Sequence, residues 1–229
     1  MDTSADTINI NKINFDIKEI LDYNVDGKNK SLVIWEDNTI SMVNNNDLSE
    51  YTIKNYLEIQ KFNNSLNKST LSNKKACIYI RVSKGNQDHT SISTQKNQCM
   101  NYLRKHNIGI QYICSDINVS GRNMKNLNYE LGTFSKYLNE NNLLILNSID
   151  RLGRHSLNCL KFLDDMSQRK IDVMFCMENL IYNKNTSCGD KLSISNYLTQ
   201  SEFLSNQTSD KIKSKIQLKR NEGHFIGSV

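Results

Sequence analysis

Four short apolar runs constrain this chain more than anything else in it: residues 76–80, 110–114, 143–146 and 171–176. Each is rich in Ile, Val, Leu or aromatic residues. Each is bounded by polar, turn-forming residues, so each reads as a buried strand. Between them the spacing turns helical: Ile92, Gln95, Cys99, Tyr102 and Leu103, then 127–139, then 156–169. Strand–helix alternation of this kind predicts an α/β fold, a parallel-rich sheet with helices on both faces. In such sheets the reactive loops follow the carboxyl ends of the strands. That rule singles out Ser83, Asp116 and Asp150-Arg151 as residues gathered on one edge. Residues 192–222 read as a single long helix. Leu204, Thr208, Ile212 and Ile216 recur on it every four residues, and Lys211, Lys215 and Lys219 form a second, basic stripe.

The first third of the chain is organised differently. Residues 1–12 are polar and expected to be disordered. Residues 15–21, 31–35 and 39–43 read as three strands, with Asp26-Gly27 as a hairpin signal, and 48–62 as a helix, which makes 13–62 a small α+β module. The Asn/Ser/Lys-rich stretch 63–74 reads as a linker. A second domain is then expected over 75–191, followed by the long helix and tail over 192–229.

Charge divides along the same line. Residues 1–74 hold eight Lys and no Arg against eleven Asp and Glu, a net charge of −3, while the remainder carries +8 and all the arginine. A basic, arginine-bearing domain points to a polyanionic partner, most simply nucleic acid. The six cysteines (77, 99, 114, 159, 176 and 188) form no CxxC pair. This argues against a structural zinc site or disulfide framework and for reduced, intracellular thiols. No apolar run approaches the ~18 residues of a membrane span.

The chemistry lies with the arginines. Arg81 stands inside an otherwise apolar strand, where an unpaired guanidinium would be costly to bury. It therefore sits at the strand's end or faces something negative. Ser83 follows two residues later. A serine there is ordinarily a turn former, but Arg151 and Arg154, placed three apart on one expected helix face, bring more positive charge to the same edge. Guanidinium groups stay charged and grip phosphate oxygens bidentately. They suit a hydroxyl nucleophile attacking a phosphodiester, with no metal or other cofactor called for. The four histidines are scattered and polar-flanked, and no Ser-His-Asp set is visible.

These residues also carry a family resemblance. Tyr79-Ile80-Arg81-Val82-Ser83, then Ser91-Ile92-Ser93-Thr94-Gln95, then Asp116 with Val119-Ser120-Gly121, then Asp150-Arg151-Leu152-Gly153-Arg154 occur in order. Together they resemble the catalytic domain of the serine recombinases (resolvases and invertases) over about residues 76–223. The resemblance implies a site-specific recombinase that cleaves and rejoins double-stranded DNA through a 5′-phosphoserine. In that reading Ser83 is the nucleophile, Arg81, Arg151 and Arg154 bind the scissile phosphate, Asp150 and Asp116 orient the arginines, and Gln95 braces the site. It further implies that the long helix makes a homodimer that pairs into a tetramer, with Lys211, Lys215 and Lys219 along DNA. The family's arginine after the Ser-Gly turn falls on Asn128, with Arg122 and Lys125 nearby as DNA contacts. Its Glu-Arg pair early in the long helix is missing, the nearest candidates being Glu202-Phe203 or Leu204-Ser205. These departures leave a second reading open, a catalytically decayed recombinase-like protein that binds DNA or chromatin. A third is a small phosphohydrolase using the same Arg-Ser edge.

Residues 14–61 resemble a chromodomain, through 15–22, Gly27-Lys28, 31–35 and a closing helix ending in Tyr56-Leu57. By that resemblance Phe15 and Trp35 would be two members of an aromatic cage for methyl-lysine, such as a histone tail, with Asn38 at the third position. The alternative is that both aromatics are core. With an A/T-rich coding accent (abundant Asn, no Pro), this points to a nucleus or viral replication site, and otherwise to the cytoplasm.

Overall fold

The computed structural model describes residues 17–22, 30–35, 40–82, 92–117 and 130–222. The chain forms two compact units, Met1–Lys61 and Phe62–Val229.

In the first unit, β1 (Ile17–Asp22), β2 (Lys30–Trp35) and β3 (Ile40–Asn44) form an antiparallel sheet in that order. A 3-10 turn over Asn45–Asp47 leads toward α1 (Glu50–Asn64). The start of α1 is set by Ser49, whose hydroxyl accepts the Thr52 N–H at 3.1 Å, the usual service of a serine N-cap. Ile20, Val33, Val43 and Leu48 make a small core with Ile53 and Tyr56 against it. The Ser31 hydroxyl, fully buried, donates to Asn45 Oδ1 at 2.6 Å, so this buried hydroxyl has its partner. Phe15 and the Trp35 side chain, the expected cage members, lie outside the described residues.

The second unit is a five-stranded sheet in the order β5-β4-β6-β7-β8. Its strands are β4 (Lys75–Val82), β5 (Gly109–Ile117), β6 (Asn142–Leu146), β7 (Asp172–Phe175) and β8 (Leu180–Tyr182). The first four are mutually parallel and β8 closes the edge antiparallel. The central strands β4 and β6 are buried almost end to end, as their unbroken apolar runs require. Cys77, Tyr79, Leu144, Leu146, Val173 and Phe175 share one core with residues of α4 (Ser156–Gln168) and α5 (Cys188–Asn221). Ile78 and Ile80 alternate to the opposite face, which α2 (Ile92–Lys105) covers through β4, β5 and β6. The fold is thus the α/β sheet with helices on both faces.

Several boundaries differ from the sequence reading. The expected linker 63–74 is bonded into the second unit. Asn63 donates to the Ile110 carbonyl and accepts its N–H, both at 2.8 Å. Asn107, left-handed just past α2, binds the Asn67 carbonyl and the Thr70 hydroxyl through its amide. The helix expected over 127–139 is α3 (Glu130–Ser135) in its described part. The long helix begins at Cys188 rather than 192, because Ser187 caps it by accepting the Asp190 N–H at 3.1 Å. Among the described residues no helix is long and apolar enough to cross a membrane.

Candidate active site

The carboxyl edge of the sheet assembles around a buried arginine. Arg81, at the end of β4, is 2% exposed. Its Nε donates to the Arg151 carbonyl at 2.9 Å and a terminal nitrogen donates to the Asp150 carbonyl. Both carbonyls belong to a 3-10 turn, Ile149–Arg151, that follows β6. One guanidinium therefore satisfies two carbonyls that the turn leaves open. The same backbone segment is gripped from the other side. Gln95 of α2, fully buried, accepts the Arg81 N–H at 3.4 Å and donates to the Arg81 carbonyl at 3.2 Å. Arg151 adds a third bond, from Nη1 to that carbonyl at 3.3 Å.

Carboxylates are interleaved with these cations. Asp150 pairs with Arg151 at 3.1 Å and accepts from the Ser148 hydroxyl. Asp116, which lies opposite Arg81 in the β4–β5 register, accepts the Tyr79 hydroxyl at 2.7 Å. Burial, joined by the Asp116 charge, pushes the Tyr79 phenol well above its ordinary range, so it remains a donor. Burial also pulls the Arg81 guanidinium down from its usual value, helped by the charges of Arg151 and Arg154.

Arg151 and Arg154 do not lie on one helix face as expected. Arg151 ends the 3-10 turn, and α4 begins only at Ser156. The turn is held by Arg81, a residue distant in sequence. Arg154 reaches α5 instead, with Nη1 3.5 Å from the Ser205 hydroxyl. It lines a groove of about 650 Å³ between this turn and α5, together with Asp150, Glu178, Tyr197, Gln200 and Ser205. Glu202 ties α5 to the start of α4, accepting the Ser156 N–H at 2.9 Å and its hydroxyl at 2.6 Å. Those two bonds hold its carboxyl below the usual carboxylate range.

Lys211, Lys215 and Lys219 are all exposed on the last turns of α5. Ser83, Arg122 and Lys125 lie outside the described residues, although Ser83 directly follows Val82, the last residue of β4. Two polar residues of the edge were missed from sequence, Ser148 and Glu178. Glu178 accepts the Ile149 N–H at 3.2 Å. It follows the fourth parallel strand, so the rule that picked Ser83, Asp116 and Asp150 would have reached it as well. Among the described residues, no three His, Cys, Asp or Glu side chains are grouped to hold a metal.

Comparison with known proteins turns on this same half of the chain. Among solved structures, it resembles the N-terminal catalytic domain of TP901-1 integrase at 21% identity and a TM-score of 0.42, covering 60% of this chain and 98% of that one. It also resembles a resolvase family site-specific recombinase from Streptococcus pneumoniae at 19% identity and a TM-score of 0.40, covering 64% and 99%. No curated protein matches it. The family model described as the resolvase N-terminal domain matches residues 76–225, well over half of the chain, from the first buried residue of β4 to just past the end of α5. The chain belongs to that family, and its second unit is a serine-recombinase-type domain.

Proposed function

We propose that the chain is a site-specific recombinase that cuts and rejoins double-stranded DNA, with Ser83 as nucleophile. The observation that carries this is the convergence of Arg81, Asp150, Arg151 and Arg154 on the one sheet edge from which the Ser83 segment departs. The Ser83 oxygen attacks the phosphorus of the scissile diester. The 3′-oxygen leaves, takes up a proton and becomes a free 3′-hydroxyl, while the serine keeps the 5′-phosphate. One ester replaces another, so the reverse attack by a 3′-hydroxyl reseals the strand without a nucleotide cofactor. Arg151 and Arg154 meet the phosphate charge as it grows in the transition state. Arg81, buried beneath them, fixes the turn and adds charge from below. Gln95 holds the Arg81 backbone, and Asp116, through Tyr79, holds the neighbouring strand. Arg122 and Lys125 extend the contact along the DNA.

The long helix supplies the partners in this reading. Beyond Ser205 none of its described residues is buried, and Ile212 and Leu218 are more than half open to solvent. A second copy against this apolar stripe, with DNA along Lys211, Lys215 and Lys219, gives a dimer that pairs into a tetramer for strand exchange. One observation favours a decayed, DNA-binding protein instead: neither Glu202-Phe203 nor Leu204-Ser205 supplies the Glu-Arg pair of the family pattern.

The test is covalent. Supercoiled DNA is incubated with the protein, denatured and examined for a protein–DNA adduct. Wild type is expected to give a phosphoserine at residue 83 and Ser83→Ala none. DNA binding without any adduct would select the decayed protein, and a free 5′-phosphate without adduct would select the phosphohydrolase.

A further inference from the structure

The turn that carries Asp150 and Arg151 is held on one side by Arg81. On its other side the contacts come from the segment after β7. The Cys176 N–H donates to the Leu146 carbonyl at 3.0 Å and the Met177 N–H to the Asn147 carbonyl at 2.8 Å. Backbone pairing between the two strands thus continues one residue past β6 and two past β7, to just before the turn. At that point a side chain takes over, as Glu178 Oε1 accepts the N–H of Ile149, the first residue of the turn. Two later N–H groups are answered locally by backbone, Arg151 to Ser148 at 3.1 Å and Leu152 to Ile149 at 3.0 Å. The leading N–H is thus met by a side chain, Glu178.

A carboxylate is a costly choice for this place. Burial raises the Glu178 carboxyl above its usual range, and the Asp150 charge adds to the shift. Its second oxygen is buried with no hydrogen-bond partner among the described residues. A group used only for packing would carry neither burden. Its position explains both, because Glu178 lines the groove beside Arg154 and Asp150 while reaching the turn.

We infer that Glu178 is a positioning residue for the Asp150–Arg151–Arg154 segment, acting through the Ile149 N–H opposite Arg81. It need not touch DNA. It fixes the height and tilt of the turn, and so where the Arg151 and Arg154 head groups meet a phosphate. The inference rests on the recombinase reading for its consequence but not for its geometry. Glutamine keeps an acceptor oxygen at the same reach, whereas alanine removes it.

Wild type, Glu178→Gln and Glu178→Ala are compared by two measurements on the full chain. The first is amide hydrogen exchange at Ile149, expected to be slow in wild type and in the Gln variant. It should be about tenfold or more faster in the Ala variant, the usual consequence of losing a hydrogen bond to a charged group. The second is the rate of the covalent DNA adduct, expected to fall about tenfold or more in the Ala variant, to be restored by Gln, and to leave DNA affinity unchanged. Unchanged Ile149 exchange in the Ala variant overturns the inference. So does a Gln variant as slow as Ala, or an Ala loss that appears wholly in DNA affinity. If wild type forms no adduct, the recombinase reading fails by itself, and the exchange measurement still decides whether Glu178 holds the turn.

Discussion

The two ends of α5 are built from similar residues and are held in opposite ways. Up to Ser205 the helix is fastened: Ile194 and Leu198 are buried in the main core, Glu202 bonds Ser156, and Ser205 receives Arg154. Beyond Ser205 no described residue of the helix is buried. An ion pair there, Lys213 with Asp210 at 3.7 Å, is exposed, and such pairs contribute little. Isolated helices of that length are marginal in water. In the proposed dimer a second copy would complete the distal half, whereas the proximal half, with the arginine turn it faces, is held by its own chain. Variants on the two sides should separate cleanly, one class losing stability and the other losing association.

The largest effect is expected on the fastened side, at Arg81. Arg81→Ala strips the donors from the Asp150 and Arg151 carbonyls in a buried place, which costs about 1–3 kcal/mol for each group left unanswered. Urea denaturation should show a loss of about 3 kcal/mol, and the DNA adduct should disappear with it. Arg81→Lys should not rescue, because a single ammonium lacks the planar fork that spans two carbonyls. An Arg81→Ala protein as stable as wild type would mean that the turn holds itself.

That result also bears on what a reader of the sequence can see. The strands were legible because runs such as 76–80 and 143–146 are apolar without interruption, and only a strand buried on both faces needs that. β8 was not legible. Three residues, one of them 39% exposed at Ile181, make no pattern by themselves and become a strand by pairing with β7. The order of the arginines was readable, but their geometry was not. Residues 150–154 have helical spacing on paper, but only Ile149–Arg151 form a 3-10 turn, whose Asp150 and Arg151 carbonyls are held by Arg81 on another strand. The segment 63–74 misled for a related reason. Its asparagines look like linker composition, and their function as brackets to Ile110 and Asn107 exists only after the sheet has formed.

The next effect belongs to the unfastened side. Ile212→Asp places a charge in the exposed apolar stripe of distal α5. If that stripe is the seat of a second copy, sedimentation should show self-association weakened about tenfold or more, since burying one such side chain is worth about 1.5–3 kcal/mol. The urea midpoint of the dissociated protein should not move. Leu198→Ala on the same helix should do the reverse and lose about 2–5 kcal/mol of stability. A fall in the Ile212→Asp midpoint matching that of Leu198→Ala would show that the two halves are held alike.

The smallest effect sits where the two halves meet, at Glu202. Its carboxyl is held below the usual range by the Ser156 hydroxyl first and the Ser156 N–H second. A carboxylate depressed in the folded state lends stability above its unfolded value, and that stability drains away as the pH falls through the folded value. Glu202→Gln keeps an acceptor for Ser156 but has no proton to take up. Wild type should thus be the more stable near neutrality, and the two midpoints should converge on acidification from about pH 7 to about pH 3. The gap should be modest, because Glu202 is only partly buried and water screens its charge. Parallel midpoints over that whole range would show that the Ser156 contact does not stabilise the ionised form. α5 would then be fastened to the sheet unit by Ile194, Leu198 and the Arg154–Ser205 contact, with Glu202 adding nothing to the hold.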